Sequence, residues 1–245
     1  SFEVKGKALL RNCQPLFELL ADIVLAPDFT DLQRIQTVLN QLKVSMENSV
    51  PQSGHTYAAR TAAACLTQTA WRREQWSGLS QVAMIRQFAD KSLEELQPLA
   101  DKLAQIARQL FCQGQLQAAI TVEKANYAPF RRGLEDLFKQ LPAAVKAVAT
   151  PPQPFSPTPK RRGFIWSVPV NYVTRAFRAV PFSHPDGAAL TVLSKLLRAE
   201  FLHREIREKG GAYGGMASYN SEAGIFSMLS YRDPHILRTL NVYDQ

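Results

Sequence analysis

Apolar residues recur at every third or fourth position along much of the chain up to residue 141, a spacing typical of amphipathic helices. Two of these repeats follow a polar pair that can form a capping box, Thr30 with Gln33 and Ser92 with Glu95. Pro98 lies inside the second of the two and predicts a kink or a delayed helix start. The pattern predicts helices over residues 9–24, 30–46, 55–71, 79–90, 93–110 and 127–141.

Alternation of apolar and polar residues predicts a smaller number of strands. A further helical pattern occupies residues 189–208 and lies among the later strands. The predicted fold class is α+β, with helices packed on one side of a sheet, in two unequal parts. The predicted strands cover residues 2–8, 115–122, 164–172, 213–219 and 224–231.

A proline-rich segment lies between Pro142 and Pro159. Closely spaced prolines form neither a helix nor a central strand, because proline lacks the backbone N–H group and has a fixed φ. This segment therefore predicts a linker over residues 146–162, between a helix-rich part, 1–145, and a second part, 163–245.

The end of the last predicted helix combines charge with glycine, in the sequence FLHREIREKGGAYGG from Phe201 to Gly215. Gly210-Gly211 predict the helix end, since glycine adopts the left-handed conformation of a helix C-terminus without a Cβ clash. Arg207 and Tyr213 then flank a main-chain turn that carries little side-chain bulk. From spacing alone, the stretch is a capped helix that leads into an edge strand.

Composition is ordinary for a globular protein, with 46% hydrophobic and 20% charged residues among 245. No apolar run approaches the roughly 18 residues that a membrane helix needs. Three widely separated cysteines argue against a disulfide framework and for free thiols in a reducing compartment. The net charge of +8 is spread over both parts, and its one tight cluster, Lys160-Arg161-Arg162, has no interleaved aromatic residues for base stacking.

The sequence offers no catalytic centre of its own. Its four histidines are scattered, and His203 opens HREIRE, in which Ile206 and Arg207 stand where the inverted zinc motif H-x-x-E-H requires Glu and His. There is no G-x-S-x-G nucleophile elbow, and the glycines around Tyr213 lack the Lys and Ser/Thr of a phosphate-binding loop. We therefore predict neither catalytic residues nor metal ligands in this chain.

The glycine-rich stretch nevertheless resembles a known family. Residues 207–214, REKGGAYG, together with 230–234, SYRDP, are similar to the C-terminal half of the presequence protease branch of the pitrilysin/insulinase-type zinc metallopeptidases. Weaker similarity in the first part covers residues 6–9, 28–31 and 53–55. The resemblance extends over most of the chain, and residues 207–214 are its specific part.

The resemblance implies a larger enzyme built from four αβ domains, in which helices pack on one face of a mixed sheet. Residues 1–145 would belong to the third domain, and 163–245 would begin an incomplete fourth domain. The N-terminal catalytic half would bind Zn²⁺, so this chain alone is expected to be inactive. Arg207 and Tyr213 would be substrate-binding residues that join the active site when the two halves close around a short unfolded or targeting peptide.

Two other functions stay open at this point. One is an enzyme-dead scaffold relative of the same fold, used in assembly or as a core subunit. The other is a basic module that binds nucleic acid, although no RNA-binding motif is present. On the leading hypothesis the partners are peptides and the N-terminal half, not nucleic acid or membrane, and the location is the bacterial cytoplasm or an organelle matrix.

Overall fold

A computed structural model describes residues 2–144, 155–156, 158 and 161–245. Contacts divide the chain into two compact units. One unit comprises Ser1–Val38 and Lys91–Pro151, and the other comprises Leu39–Asp90 and Pro152–Gln245. Most of the predicted linker, 146–162, lies outside the described residues. These units group residues by their contacts, whereas the predicted parts 1–145 and 163–245 are continuous stretches of sequence. The predicted division into those two parts stays a prediction.

The described residues contain eight α-helices and three strands. Short 3₁₀ turns lie at Leu10–Asn12, Glu94–Leu96 and Lys124–Asn126. In chain order the elements are α1 (Cys13–Leu25), α2 (Leu32–Ala63), α3 (Gln68–Ser77), α4 (Leu79–Ala89), α5 (Gln97–Leu110), α6 (Tyr127–Gln140), β1 (Thr174–Arg178), α7 (Gly187–Leu196), β2 (Gly214–Asn220), β3 (Ile225–Tyr231) and α8 (Leu237–Val242).

The first unit is helical and is built around a small apolar core. Helices α1 and α6 lie against each other, with the rings of Phe17 and Phe130 edge to face at 5.2 Å. Gly133 permits this approach, since a Cβ there would come within 2.7 Å of the Phe17 ring. The buried residues at the centre of the unit are Val24, Ala107, Phe111 and Leu141.

One of the two predicted capping boxes is confirmed. Ser92 donates to Glu95 from both its N–H and its hydroxyl at 2.9 Å, and the Glu95 N–H donates back to the hydroxyl at 3.4 Å. Pro98 lies in the first turn of α5 and delays its start, as expected. The Thr30 box is wrong: Thr30 bonds to Asp28, and Asp31 caps α2 by accepting the N–H of Arg34 at 2.8 Å.

The helices predicted over residues 30–46 and 55–71 meet inside α2 at Ser53, whose φ of −121° and ψ of 24° are not helical. The element α2 is therefore two helices that join at a kink, and Pro51 lies next to that kink. The helix predicted over 55–71 is divided once more before α3, where Thr67 accepts the N–H of Ala70 at 3.3 Å.

Three predicted strands, 2–8, 115–122 and 164–172, are wrong. The described part of the first unit contains no strand that could pair with the first two, and an isolated strand leaves its backbone groups unpaired. In the third, a tight turn from Trp166 to Val168 and the missing N–H of Pro169 interrupt pairing. Only Asn171 forms an isolated bridge, to Asp233, and β1 begins at Thr174.

The second unit contains the sheet, with strand order β1-β3-β2. Both pairs are antiparallel, so the described sheet is antiparallel where a mixed sheet was predicted. Helix α7 and the helical turns that follow it cover β2. The buried core beneath them comprises Val173, Leu202, Ile206, Ala212, Ala217, Phe226, Val242 and Tyr243. The α+β class is confirmed, and among the described residues no helix is both long and apolar enough to cross a bilayer.

Candidate functional site

The candidate site begins where α7 continues as a π-helical segment, Leu197–Glu208. Gly211 ends this segment in the left-handed conformation, with φ +75°. Its N–H donates to the carbonyl of Arg207 at 2.9 Å, and the Ala212 N–H donates to that of Ile206 at 3.1 Å. These two bonds satisfy carbonyls that a helix end leaves free, as the glycine pair predicted. π-Helical turns are rare and are found frequently at functional sites.

Strand β2 starts immediately after the turn and runs unusually close to the π-helical segment. A Cβ built on Gly215 would lie 2.6 Å from the Leu202 carbonyl oxygen and 2.8 Å from the Ile206 Cβ. Only a hydrogen atom fits there. Ala212, the residue before Tyr213, is buried in the core. The backbone is therefore held by close packing both before and after Tyr213 in the sequence.

Arg207 and Tyr213 lie side by side on this fixed turn. The Arg207 Cζ is 5.7 Å from the centroid of the Tyr213 ring, within the range of a cation–π contact. Both side chains are exposed, with 66% of Tyr213 accessible. The structure thus brings together the two residues that the sequence singled out, and directs them away from the core. Their contact with a substrate stays a prediction.

Three aromatic side chains that the sequence did not assign to the site extend from Tyr213 through Tyr231. Tyr231, at the end of β3, meets the Tyr213 ring edge to face at 5.6 Å. Tyr231 also contacts His55 at 4.8 Å and Tyr172 at 5.8 Å. We call Tyr213, Tyr231, Tyr172 and His55 the aromatic cluster. Its members come from separate segments, and only the similarity at residues 53–55 and 230–234 pointed towards two of them.

Arg232 adjoins the aromatic cluster in an unusual conformation. Its φ of +50° makes it the one non-glycine residue with positive φ in the described part of the chain. Such a conformation costs on the order of 1–3 kcal/mol, and residues of this kind concentrate at functional sites. Its carbonyl accepts the N–H of Tyr213 at 3.3 Å, and its Cζ lies 5.5 Å from the Tyr231 ring centroid.

Tyr172 is a half-buried member of the aromatic cluster. A Cβ on Gly54 would come within 2.2 Å of the Tyr172 ring, so only glycine at this position of α2 allows the ring to pack there. The Tyr172 hydroxyl donates to the Pro51 carbonyl. Burial, followed by the neighbouring Tyr231, raises the pKa of Tyr172, and Arg232 opposes both through its charge and a hydrogen bond.

His55 is a half-buried member of the aromatic cluster. Its Nδ1 is buried and has no hydrogen-bond partner among the described residues. Burial lowers the pKa of His55, because the protonated ring would lose solvation.

Replacing His55 with phenylalanine is expected to reduce the dependence of stability on pH. Because its folded-state pKa lies below the unfolded value of about 6.5, the unfolded chain binds the proton first as pH falls, and stability is lost. Denaturant unfolding from about pH 7 to pH 5 measures this loss, which should be smaller in His55→Phe. The exposed His235→Phe is the control, and equal pH slopes in wild type and His55→Phe would contradict the expectation.

No metal site is evident in the described ranges. No three His, Cys, Asp or Glu side chains lie close enough together there to bind an ion. His203 instead faces Glu208, with 3.3 Å between Nδ1 and Oε1. Cys13, Cys65 and Cys112 are unpaired thiols.

Two family models match the chain. One is described as associated with peptidases of family M16, subfamily C, and matches residues 1–88. The other, "PreP C-terminal domain", matches residues 162–245. Residues 162–245 contain Arg207, Tyr213, Tyr231 and Arg232.

Curated relatives agree with both models. The chain is 32% identical to a mitochondrial presequence protease of Xenopus tropicalis over 263 residues, which cover 96% of the chain and 25% of the relative. Identity to the mitochondrial presequence proteases of Yarrowia lipolytica and Emericella nidulans is 34% and 35%, over 98% of the chain and 24% of each relative. The chain therefore spans about a quarter of the length of these relatives. It belongs to the presequence protease branch of the pitrilysin/insulinase-type metallopeptidase family and corresponds to its C-terminal region.

Proposed function

We propose that this chain is the substrate-binding C-terminal part of a longer zinc metalloendopeptidase that degrades short unfolded or targeting peptides. The observation that carries the proposal is the exposed pairing of Arg207 with Tyr213 on a rigid turn, in a chain of the presequence protease family. A rigid turn suits this role, because a donor that needs no rearrangement stabilises developing charge most effectively.

Both side chains provide hydrogen-bond donors for a peptide carbonyl. Peptide hydrolysis places negative charge on the carbonyl oxygen as the tetrahedral intermediate forms. A phenolic hydroxyl donates one hydrogen bond to that oxygen, and a guanidinium offers five N–H groups and a full positive charge. In this proposal Tyr213 acts on the reacting carbonyl, while Arg207 also contacts neighbouring carbonyls of the bound peptide.

The described residues do not fit a zinc ion, since they contain no suitable ligand set. On the basis of family membership we assign Zn²⁺ to the N-terminal half of the full-length protein, where it would polarise the scissile carbonyl. Contact between the two halves would complete the active site. The names of the relatives place those proteins in mitochondria, and the free thiols suit a reducing compartment. We therefore propose an organelle matrix or the bacterial cytoplasm as the location.

The proposal is tested by replacing Arg207 with alanine in the full-length protein. Cleavage of a short basic peptide should fall at least tenfold in kcat/KM, with KM raised as well, because ground-state contacts to peptide carbonyls are lost. Arg204→Ala is the matched control, since Arg204 lies on the same segment but already pairs with Glu205 at 2.9 Å. Equal activity in both variants would overturn the role of Arg207. A folded full-length protein that cleaves no peptide would favour the enzyme-dead scaffold.

A further inference from the structure

We propose that Arg232 is a second, specificity-determining substrate contact, which binds a carboxylate group of the peptide. This inference rests on the proposed function, because the ligand is the same peptide that Arg207 and Tyr213 would contact. The carboxylate can be an acidic side chain or the peptide C-terminus, which share the same chemistry.

Position is the first argument. Arg232 is linked to Tyr213 twice, by the hydrogen bond between its carbonyl and the Tyr213 N–H and through the ring of Tyr231. Three successive contacts of 5.5–5.7 Å connect Arg232, Tyr231, Tyr213 and Arg207. The two guanidinium groups therefore belong to one continuous surface, with the predicted reaction site at Tyr213 between them.

Charge is the second argument. Three carboxylates within two residues of these arginines in sequence have other partners: Glu205 pairs with Arg204 and Lys209, Glu208 with His203, and the buried Asp233 accepts from the His235 N–H and the Thr239 hydroxyl. Among the described residues neither Arg207 nor Arg232 forms an ion pair. An exposed cation without an acidic partner, beside a peptide-binding residue, is suited to a carboxylate supplied by the ligand.

Preorganisation is the third argument. The Arg232 guanidinium lies over the Tyr231 ring, with its Cζ 5.5 Å from the ring centroid, and a guanidinium carries five N–H donors. A stacked guanidinium is already ordered, so binding a carboxylate bidentately costs it less entropy than it would cost a free side chain. The positive φ of Arg232 sets the direction in which its side chain leaves the end of β3. This conformation costs backbone strain energy, which an arginine that only contacts solvent would have no need of.

The test is equilibrium binding of fluorescent peptides to the full-length protein, with a chelator present to prevent cleavage. Four peptides share one sequence and differ at two groups, Glu or Gln at one position and a carboxylate or an amide at the C-terminus. We expect wild type to bind one of the carboxylate forms about five- to tenfold more tightly than its neutral counterpart. If the preference follows Glu over Gln, Arg232 binds the acidic side chain; if it follows the C-terminal carboxylate over the amide, Arg232 binds the peptide C-terminus.

Arg232→Asn should abolish that preference and leave the neutral peptides unaffected, since asparagine tolerates positive φ and keeps the backbone unstrained. Arg232→Gly provides a second variant free of strain, and Arg204→Gln is the control for loss of one positive charge. The inference about Arg232 would fail, and the proposed function would stand, if wild type bound the charged and neutral peptides equally well or if Arg232→Asn lost the same affinity for all four peptides. If wild type binds none of the peptides, both the inference and the proposed function fail.

Discussion

Replacing Tyr213 with phenylalanine is expected to lower kcat of the full-length peptidase about a hundredfold and to leave KM nearly unchanged. A donor that acts mainly on the developing oxyanion stabilises the transition state by about 3 kcal/mol and hardly affects the bound substrate. The phenylalanine ring retains the contacts with Arg207 and Tyr231, so the fold should be preserved. Steady-state kinetics on a short basic peptide measure both constants.

The control for this loss is Tyr127→Phe, which removes the hydroxyl of another exposed tyrosine, at the start of α6. It should leave kcat at the wild-type value. Thermal melts of both variants should coincide with that of wild type. An unchanged kcat in Tyr213→Phe, or a drop in its melting temperature with a proportional loss of active protein, would show that Tyr213 has a structural role.

The second large effect concerns the backbone that supports Tyr213. Gly215→Ala is expected to lower the free energy of unfolding by about 2–3 kcal/mol, a typical cost of overpacking. The added methyl group would meet the Leu202 carbonyl oxygen at 2.6 Å, and backbone cannot move aside as a flexible side chain can. Denaturant titration of the 245-residue chain measures the change.

Gly214→Ala is a matched control one residue away. No heavy atom lies within 4 Å of a Cβ at that position, so its effect should stay within about 0.5 kcal/mol. Activity of the full-length protein should fall in Gly215→Ala and remain in Gly214→Ala. If the two alanine variants were equally stable, β2 would not lie against the π-helical segment as described.

Local signals predicted much of the secondary structure. The helices predicted from the repeats of α4, α5 and α6 were right. The apolar face of a long amphipathic helix can be buried against any apolar surface, so the local pattern is enough to predict the helix. The two strands predicted over residues 213–219 and 224–231 were also right, and they pair as β2 and β3 around a turn in which Gly224 has φ +61°. The segment 115–122 also alternates, but no partner strand lies beside it among the described residues. Partner strands are set by the tertiary fold and not by the local pattern.

The candidate site was only partly predictable. Arg207 and Tyr213 lie on one short stretch, and the glycines around them are visible in the sequence. Tyr172, Tyr231 and Arg232 meet them through strand pairing and helix packing across distant segments, and spacing carries no information about such contacts. The positive φ of Arg232 was equally hidden, because no glycine or asparagine marks that position.

Photo-crosslinking from position 213 in the full-length protein tests the central claim, that this turn contacts the substrate, most directly. Tyr213 is replaced by p-benzoylphenylalanine, the protein is irradiated with a bound peptide in the presence of chelator, and the adducts are mapped by mass spectrometry. The account predicts a specific adduct at peptide residues next to the scissile bond and none from the same probe at Tyr127. A peptide that binds but forms no adduct at position 213, or forms equal adducts at both positions, would contradict it.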